Sequence, residues 1–122
     1  MGFKGLLAYQ KGFDLAMEIY RVSKSFPKTE AYSLTDQISR SSRSVCANIS
    51  EAYRKRRYER HFISKLTDSD AENSETQVWL SFAEKCGYIT SEVETKLTKQ
   101  SLEVGKLINF MINNPGKFGV EV

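Results

Sequence analysis

Leu34-Thr35-Asp36-Gln37-Ile38-Ser39-Arg40-Ser41-Ser42-Arg43-Ser44-Val45-Cys46-Ala47-Asn48-Ile49-Ser50-Glu51-Ala52-Tyr53 contains neither glycine nor proline. Its apolar members Leu34, Ile38, Val45, Ile49 and Ala52 fall three, four or seven positions apart, which paints one stripe on a helix. Ser41 or Ser42 lies on that stripe, where a small residue lets a second helix approach closely. Ser33 precedes the run as an N-cap, because its hydroxyl can accept a free backbone N–H. Asp36 places a negative charge in the first turn, where the helix dipole favours it. The stretch therefore reads as a helix over about residues 34–53.

The same pattern extends in both directions. Upstream, Leu6, Tyr9, Phe13, Ala16, Met17, Ile19, Tyr20 and Val22 predict a helix over about residues 6–26, stopped by Pro27 because the residue before proline avoids the α region. Downstream, Phe62, Leu66, Ser69, Asn73 and Gln77 follow one track, widened by Ile63, Val78, Phe82 and Ala83, over about residues 58–86. Gly87 is the expected helix stop. Thr90 or Ser91 opens a fourth helix over about residues 91–113, with Glu92 and Glu94 in its first turn. Asn113-Asn114-Pro115-Gly116 ends it, and residues 117–122 read as a frayed tail. Four long amphipathic helices with short connections predict an all-α, up-and-down antiparallel four-helix bundle in a single domain over residues 1–122.

Composition agrees with that architecture. The chain has 122 residues, 40% hydrophobic and 27% charged, as a soluble globular domain does. The opening MGFKGLLAYQKGF has no apolar run followed by a cleavage site, so no signal peptide is expected. No stretch reaches the roughly 18 apolar residues of a membrane span, so a cytoplasmic protein with reduced thiols is expected. Cys46 lies among Val45, Ala47 and Ile49 and reads as a buried small hydrophobe. With Cys86 and His61 it cannot make up the roughly four ligands of a zinc site.

Enzyme motifs are missing. The sequence holds no P-loop, GxGxxG, HExxH or GxSxG pattern. Asp68, Glu72 and Glu75 share a helix face, but the Glu-x-x-His pairs of a di-metal bundle are absent, so they read as a solvated acidic face. His61 reads as a surface residue, and Trp79, Phe82 and Tyr88 as core or interface aromatics. No cofactor, metal or small-molecule substrate is expected.

Charge is the informative property. Residues 1–61 hold 12 Lys and Arg against 6 Asp and Glu, whereas residues 62–122 hold 6 against 9. The first half is thus +6 and the second −3, which points to a polyanionic partner or a self-contact. Five cations fall within seven positions in Arg54-Lys55-Arg56-Arg57-Tyr58-Glu59-Arg60. Guanidinium forks bind phosphate in bidentate fashion, and Tyr58 can stack on a base. The same run also reads as a solvated turn that neutralises the carbonyl end of the second helix. Arg40 and Arg43, three apart on one helix face, are secondary candidates. As exposed charges, all of these would contribute little to stability, roughly 0–1 kcal/mol each.

Phe3-Lys4, Tyr9-Gln10-Lys11, Ser25-Phe26-Pro27-Lys28, Leu34-Thr35, Gln37-Ile38 and above all Ala47-Asn48-Ile49-Ser50-Glu51-Ala52-Tyr53 form a pattern in order with Glu75-Thr76-Gln77 and Gly87-Tyr88-Ile89. The pattern resembles the bacterial four helix bundle protein family. Its first members are encoded in intervening sequences of 23S ribosomal RNA genes, and it is also grouped with ribosomal proteins. The likeness covers about residues 3–112. The family usually has Trp at Tyr9, Pro at Cys46 and Gly at Ala52, and a turn richer in glycine and serine than Tyr53–Arg57. The resemblance implies the bundle and a ring-shaped homopentamer, and no established activity. A distantly similar bundle assists a reverse transcriptase and binds nucleic acid, an analogy of fold alone. The expectation is a non-catalytic, oligomeric, RNA-associated protein. The alternative is a protein–protein scaffold whose basic and acidic halves pair between subunits. Asn48, Glu51, Tyr53, Glu75 and Gln77 are the candidate core or interface polar residues.

Overall fold

Helical periodicity is realised in four long helices: α1 (Leu7–Ser23), α2 (Leu34–Arg54), α3 (Glu59–Lys85) and α4 (Ser91–Asn113). The computed structural model describes residues 2–121. Short 3-10 turns occupy Phe3–Gly5, Lys28–Glu30 and Pro115–Phe118, and no strand occurs among the described residues. Each helix packs on its two neighbours around a closed cycle, with α1 also meeting α4. This is the up-and-down four-helix bundle, with the chain start, the α2–α3 turn and the chain end at one pole. The α1–α2 and α3–α4 connections lie at the other.

Backbone chemistry explains the boundaries. At α3, Gly87 adopts φ +78, the left-handed conformation open to a residue without Cβ. Gly87 N–H then donates to Glu84 O at 2.9 Å and Tyr88 N–H to Ala83 O at 2.8 Å, the paired bonds of a Schellman ending. Thr90 caps α4, its Oγ1 accepting from Val93 N–H at 3.1 Å. The expected Ser33 cap is replaced. Glu30 Oε1 accepts from Leu34 N–H at 3.3 Å, and Ser33 Oγ donates to the same carboxylate. A longer acidic side chain from the preceding turn reaches the free amide that the serine would have taken. At α1, the helix stops at Ser23 rather than running to Pro27. Ser23 and Ser25 hydroxyls donate to Tyr20 O and Val22 O, each at 2.9 Å, satisfying terminal carbonyls before the proline is reached.

The core has two apolar halves. At the pole of the α2–α3 turn, Ile49, Ala52, Phe62, Leu66, Val104 and Ile108 are fully shielded. Toward the other pole, Ile19, Ile38, Leu80 and Leu97 form a second cluster. Each such side chain contributes about 1.5–3 kcal/mol. Between them lies a belt of buried polar side chains: Ser41, Ser69, Asn73, Thr76 and Ser101. Asn73 Nδ2 donates to Ser101 O at 2.8 Å, and Ser101 Oγ returns a bond to Asn73 Oδ1 at 2.8 Å. Thr76 Oγ1 donates to Ser41 Oγ at 2.9 Å, and Ser69 Oγ to Val45 O at 2.8 Å.

Two faces differ from the sequence expectation. The inward face of α1 is Ala8, Gly12, Leu15, Ala16 and Ile19, whereas Phe13 and Tyr20 remain 48% and 42% exposed. A Cβ on Gly12 would sit 3.3 Å from Cys46 Sγ, so α1 and α2 approach through their smallest residues and the aromatics are turned outward. On α3, Val78 and Phe82 are likewise outside, at 48% and 54% exposure. The tail is also different. Residues predicted to fray instead form a strap: Val120 is buried in the first apolar cluster, and Val120 N–H donates to Pro115 O at 3.3 Å. Val122 of the predicted tail lies outside the described residues.

Candidate nucleic-acid interface

The basic run lies where α2 hands over to α3. α2 closes when Lys55 N–H donates to Glu51 O at 3.1 Å and Ala52 O at 3.0 Å. Tyr58 N–H donates to Lys55 O at 3.1 Å, and α3 begins at Glu59. A tight turn without glycine forces its side chains to splay. Arg54, Lys55, Arg57 and Arg60 point to solvent and have no ion pair among the described residues. Glu59 is the acid within the run, and it sits at the dipole-favoured first turn of α3.

Arg56 behaves differently. It is half-buried, its Nε donates to Tyr53 O at 2.7 Å, and its guanidinium stacks on the Tyr53 ring at 3.6 Å from the centroid. Its Nη1 donates to Phe118 O at 3.2 Å, tying the strap to the turn. Gly119, with φ +89, presses its backbone on the same guanidinium, and a Cβ there would lie 2.9 Å from Nη1. Together Tyr53, Arg54, Arg56, Arg57, Gly119 and Glu121 line an open cavity of about 480 Å³.

The remaining candidates scatter. Arg43 is exposed and without an ion pair among the described residues, but it precedes Arg54 by eleven residues, about 16 Å along the helix axis. Arg40 pairs with Asp36 at 3.6 Å, and Glu72 on α3 feels its charge. Glu72 is itself held above the usual carboxylate range, chiefly by burial and then by Glu75 and Asp68. His61 is exposed beside Tyr58, with ring centroids 5.3 Å apart. Cys46 is buried as expected, and burial pushes its thiol up to about 11.

The candidate interface residues have contacts inside the chain. Asn48 Nδ2 donates to Ser44 O at 2.9 Å, and Gln77 Nε2 to Ser101 Oγ at 2.9 Å, joining the polar belt. Glu75 accepts from Trp79 Nε1 at 3.2 Å. Glu51 pairs with Lys65 at 2.9 Å, and that ammonium holds the Glu51 carboxyl below its usual range. Because Lys65 sits beside Glu51, Glu75 lies ten residues further along α3, about 15 Å away, so the five do not form one patch.

Two features escaped the sequence reading. One is the strap, whose Glu121 and Gly119 complete the cavity. The other is an apolar groove at the opposite pole, about 390 Å³, lined in part by Tyr32, Leu34, Trp79 and Phe82, with Tyr32 98% exposed. The outward turn of α1 and α3 aromatics was the available signal, since both helices carry more apolar residues than one buried stripe can hold.

These observations define an all-α bundle with a cationic turn. Among the described residues no group of three or more His, Cys, Asp or Glu side chains is placed to hold a metal ion. No helix among them is long and apolar enough to cross a membrane. The chain belongs to the 23S rRNA-intervening sequence protein family, whose profile matches residues 4–110. It is similar to a crystal structure of a protein of unknown function from the S23 ribosomal protein family of Bacteroides thetaiotaomicron. The two are 30% identical, with a TM-score of 0.79, over 88% of this chain and 96% of that one. No match is found among curated proteins. Neither description names a catalytic activity.

Proposed function

We propose that this chain is a non-catalytic, cytoplasmic bundle protein that associates with RNA as a homo-oligomer, through the α2–α3 turn. The observation that carries the reading is the group Arg54, Lys55, Arg57 and Arg60: exposed, adjacent, and without ion pairs among the described residues. Clustered guanidinium groups left unneutralised favour phosphate, and phosphate contacts dominate nucleic-acid affinity. The family's origin in ribosomal RNA genes supports RNA as the polyanion. The assembly we favour is the homopentameric ring that the family resemblance implies. Exposed Phe13 and Tyr20 on α1, and Val78 and Phe82 on α3, support a head-to-tail contact between unlike faces. A ring multiplies weak phosphate contacts into avidity.

The test is the double variant Arg54→Gln/Arg57→Gln, which spares the structural Arg56. Each lost phosphate contact removes about 0.7 from the slope of log affinity against log salt on a single strand. The variant should therefore flatten the slope by about 1.4 per engaged copy. Unchanged affinity and slope would remove the turn from the interface. Absence of RNA binding by the wild type at ~50 mM salt, where such contacts are strongest, would leave the scaffold reading, which the exposed groove at Tyr32, Trp79 and Phe82 favours. Light scattering that reports a monomer at tens of micromolar would overturn the ring.

A further inference from the structure

The arginine cavity contains an acid. Glu121 lines it beside Arg54, Arg56 and Arg57, and no other carboxylate does. Glu121 is not there by chance of a loose chain end, because three contacts fix the strap. Val120, one residue before it, is 4% exposed and packed in the apolar cluster of this pole. Arg56 Nη1 holds Phe118 O at 3.2 Å. Gly119, at φ +89, reverses the backbone against the Arg56 guanidinium, a conformation that L side chains rarely adopt. The strap thus delivers a carboxylate to a site built from guanidinium groups.

We propose that Glu121 is a tethered internal ligand of the arginine cavity, displaced by the phosphate groups of RNA when RNA binds. Because Val120 remains anchored, the displaced carboxylate stays close at high effective concentration and competes with any incoming anion. Only the exposed Glu121 side chain has to move, so exchange leaves the core intact. The strap weakens adventitious anion binding and makes occupancy depend on ligands that offer several phosphates at once. The identity of the phosphate donor rests on the RNA reading above; the competition itself does not.

The experiment compares the full-length wild type with Glu121→Gln, titrated with pyrophosphate and, separately, with a 12-nucleotide single-stranded RNA at low salt. Glu92→Gln, an exposed carboxylate at the start of α4 on the opposite pole, is the control for net charge. Removing the competitor should tighten both ligands about fivefold, the factor of one charge contact at about 4 Å in water. Glu92→Gln should leave both unchanged, and melting curves should coincide for all three proteins. If pyrophosphate tightens on Glu121→Gln while no form binds RNA, the internal ligand stands and the RNA reading falls. If RNA binds the wild type and Glu121→Gln equally, the internal ligand is overturned and the RNA reading stands. Equal tightening by Glu92→Gln reduces the effect to net charge and overturns the proposal, as does absence of binding to either ligand.

Discussion

The two poles of the bundle close their connections by opposite means. At the α1–α2 pole a single acid, Glu30, is surrounded by donors: the Ser33 hydroxyl, Leu34 N–H at 3.3 Å, and the Tyr88 hydroxyl from the α3–α4 connection at 2.8 Å. That carboxylate is consumed by the fold, and it knits two connections together. At the α2–α3 pole the turn is held by backbone bonds and by Arg56 alone, and its other cations make no ion pair among the described residues. Charge used for closure is unavailable to a partner; charge left over is available. The contrast, rather than the basic run by itself, is what directs attention to the α2–α3 pole.

The largest effects test whether the poles are one unit. Phe62→Ala in one apolar cluster should cost about 3–5 kcal/mol and Leu80→Ala in the other about 2–5 kcal/mol. Each should lower a single cooperative melting transition. Two transitions separated by probe would show that the polar belt divides the bundle into independent halves.

Asn73→Ala comes next. It removes both side-chain bonds to Ser101 and leaves a buried hydroxyl and carbonyl short of partners, a loss of about 1–3 kcal/mol. Chemical denaturation would read it directly. Arg56→Gln should cost about 1 kcal/mol through the lost bonds to Tyr53 O and Phe118 O, whereas Arg57→Gln should leave the melting temperature unchanged. Equal melting temperatures for these two variants would erase the distinction drawn between a structural arginine and a free one.

The smallest effect is one of pH and belongs to the Glu30 pole. Bonds from Ser33, Tyr88 and Leu34 hold the Glu30 carboxyl below its ordinary 4.5. A depressed carboxyl contributes stability that is present above the unfolded value and lost as pH falls through the folded one. The Glu30 bond also raises the Tyr88 hydroxyl from 10.0 to about 12. Its contribution is full below pH 10 and fades as pH rises toward about 12. Stability should therefore have an acid and an alkaline edge from this one pair, and Glu30→Gln should soften both. Edges that persist in Glu30→Gln would assign them to other groups.

The contrast between the poles also explains what could be read in advance. Repetition along the chain revealed α2, α3 and α4 to within a residue or two, because apolar spacing and the stops at Gly87 and Asn114 are local. α1 was harder. Its aromatics sit three and four apart and imitate a core stripe, yet Gly12, Ala8 and Ala16 face inward because α2 comes so close. The basic turn was legible as five cations in a row. Its division into Arg56, which holds the strap, and Arg54 and Arg57, which do not, was not legible. That division depends on Phe118 O, sixty-two residues away. Glu30 as cap was hidden for the same reason, since Tyr88 reaches it across fifty-eight residues. Ser69 and Asn73 were visible on the α3 track, but their partners Val45 O and Ser101 were not.

The polar belt has one further consequence. Four similar amphipathic helices could slide past one another by a turn and still bury most of their apolar surface. A slide of α4 by one turn, about 5.4 Å, would replace Ser101 opposite Asn73 with Leu97 or Gly105. The Asn73 amide would then face hydrocarbon or bare backbone at a cost of about 1–3 kcal/mol, and the Gln77 amide would lose the Ser101 hydroxyl as well. Thr76 against Ser41 imposes the same condition on α3 and α2. The belt is thus an alignment key: greasy surfaces hold the rods together, and a few hydroxyls and amides decide at which notch they stop.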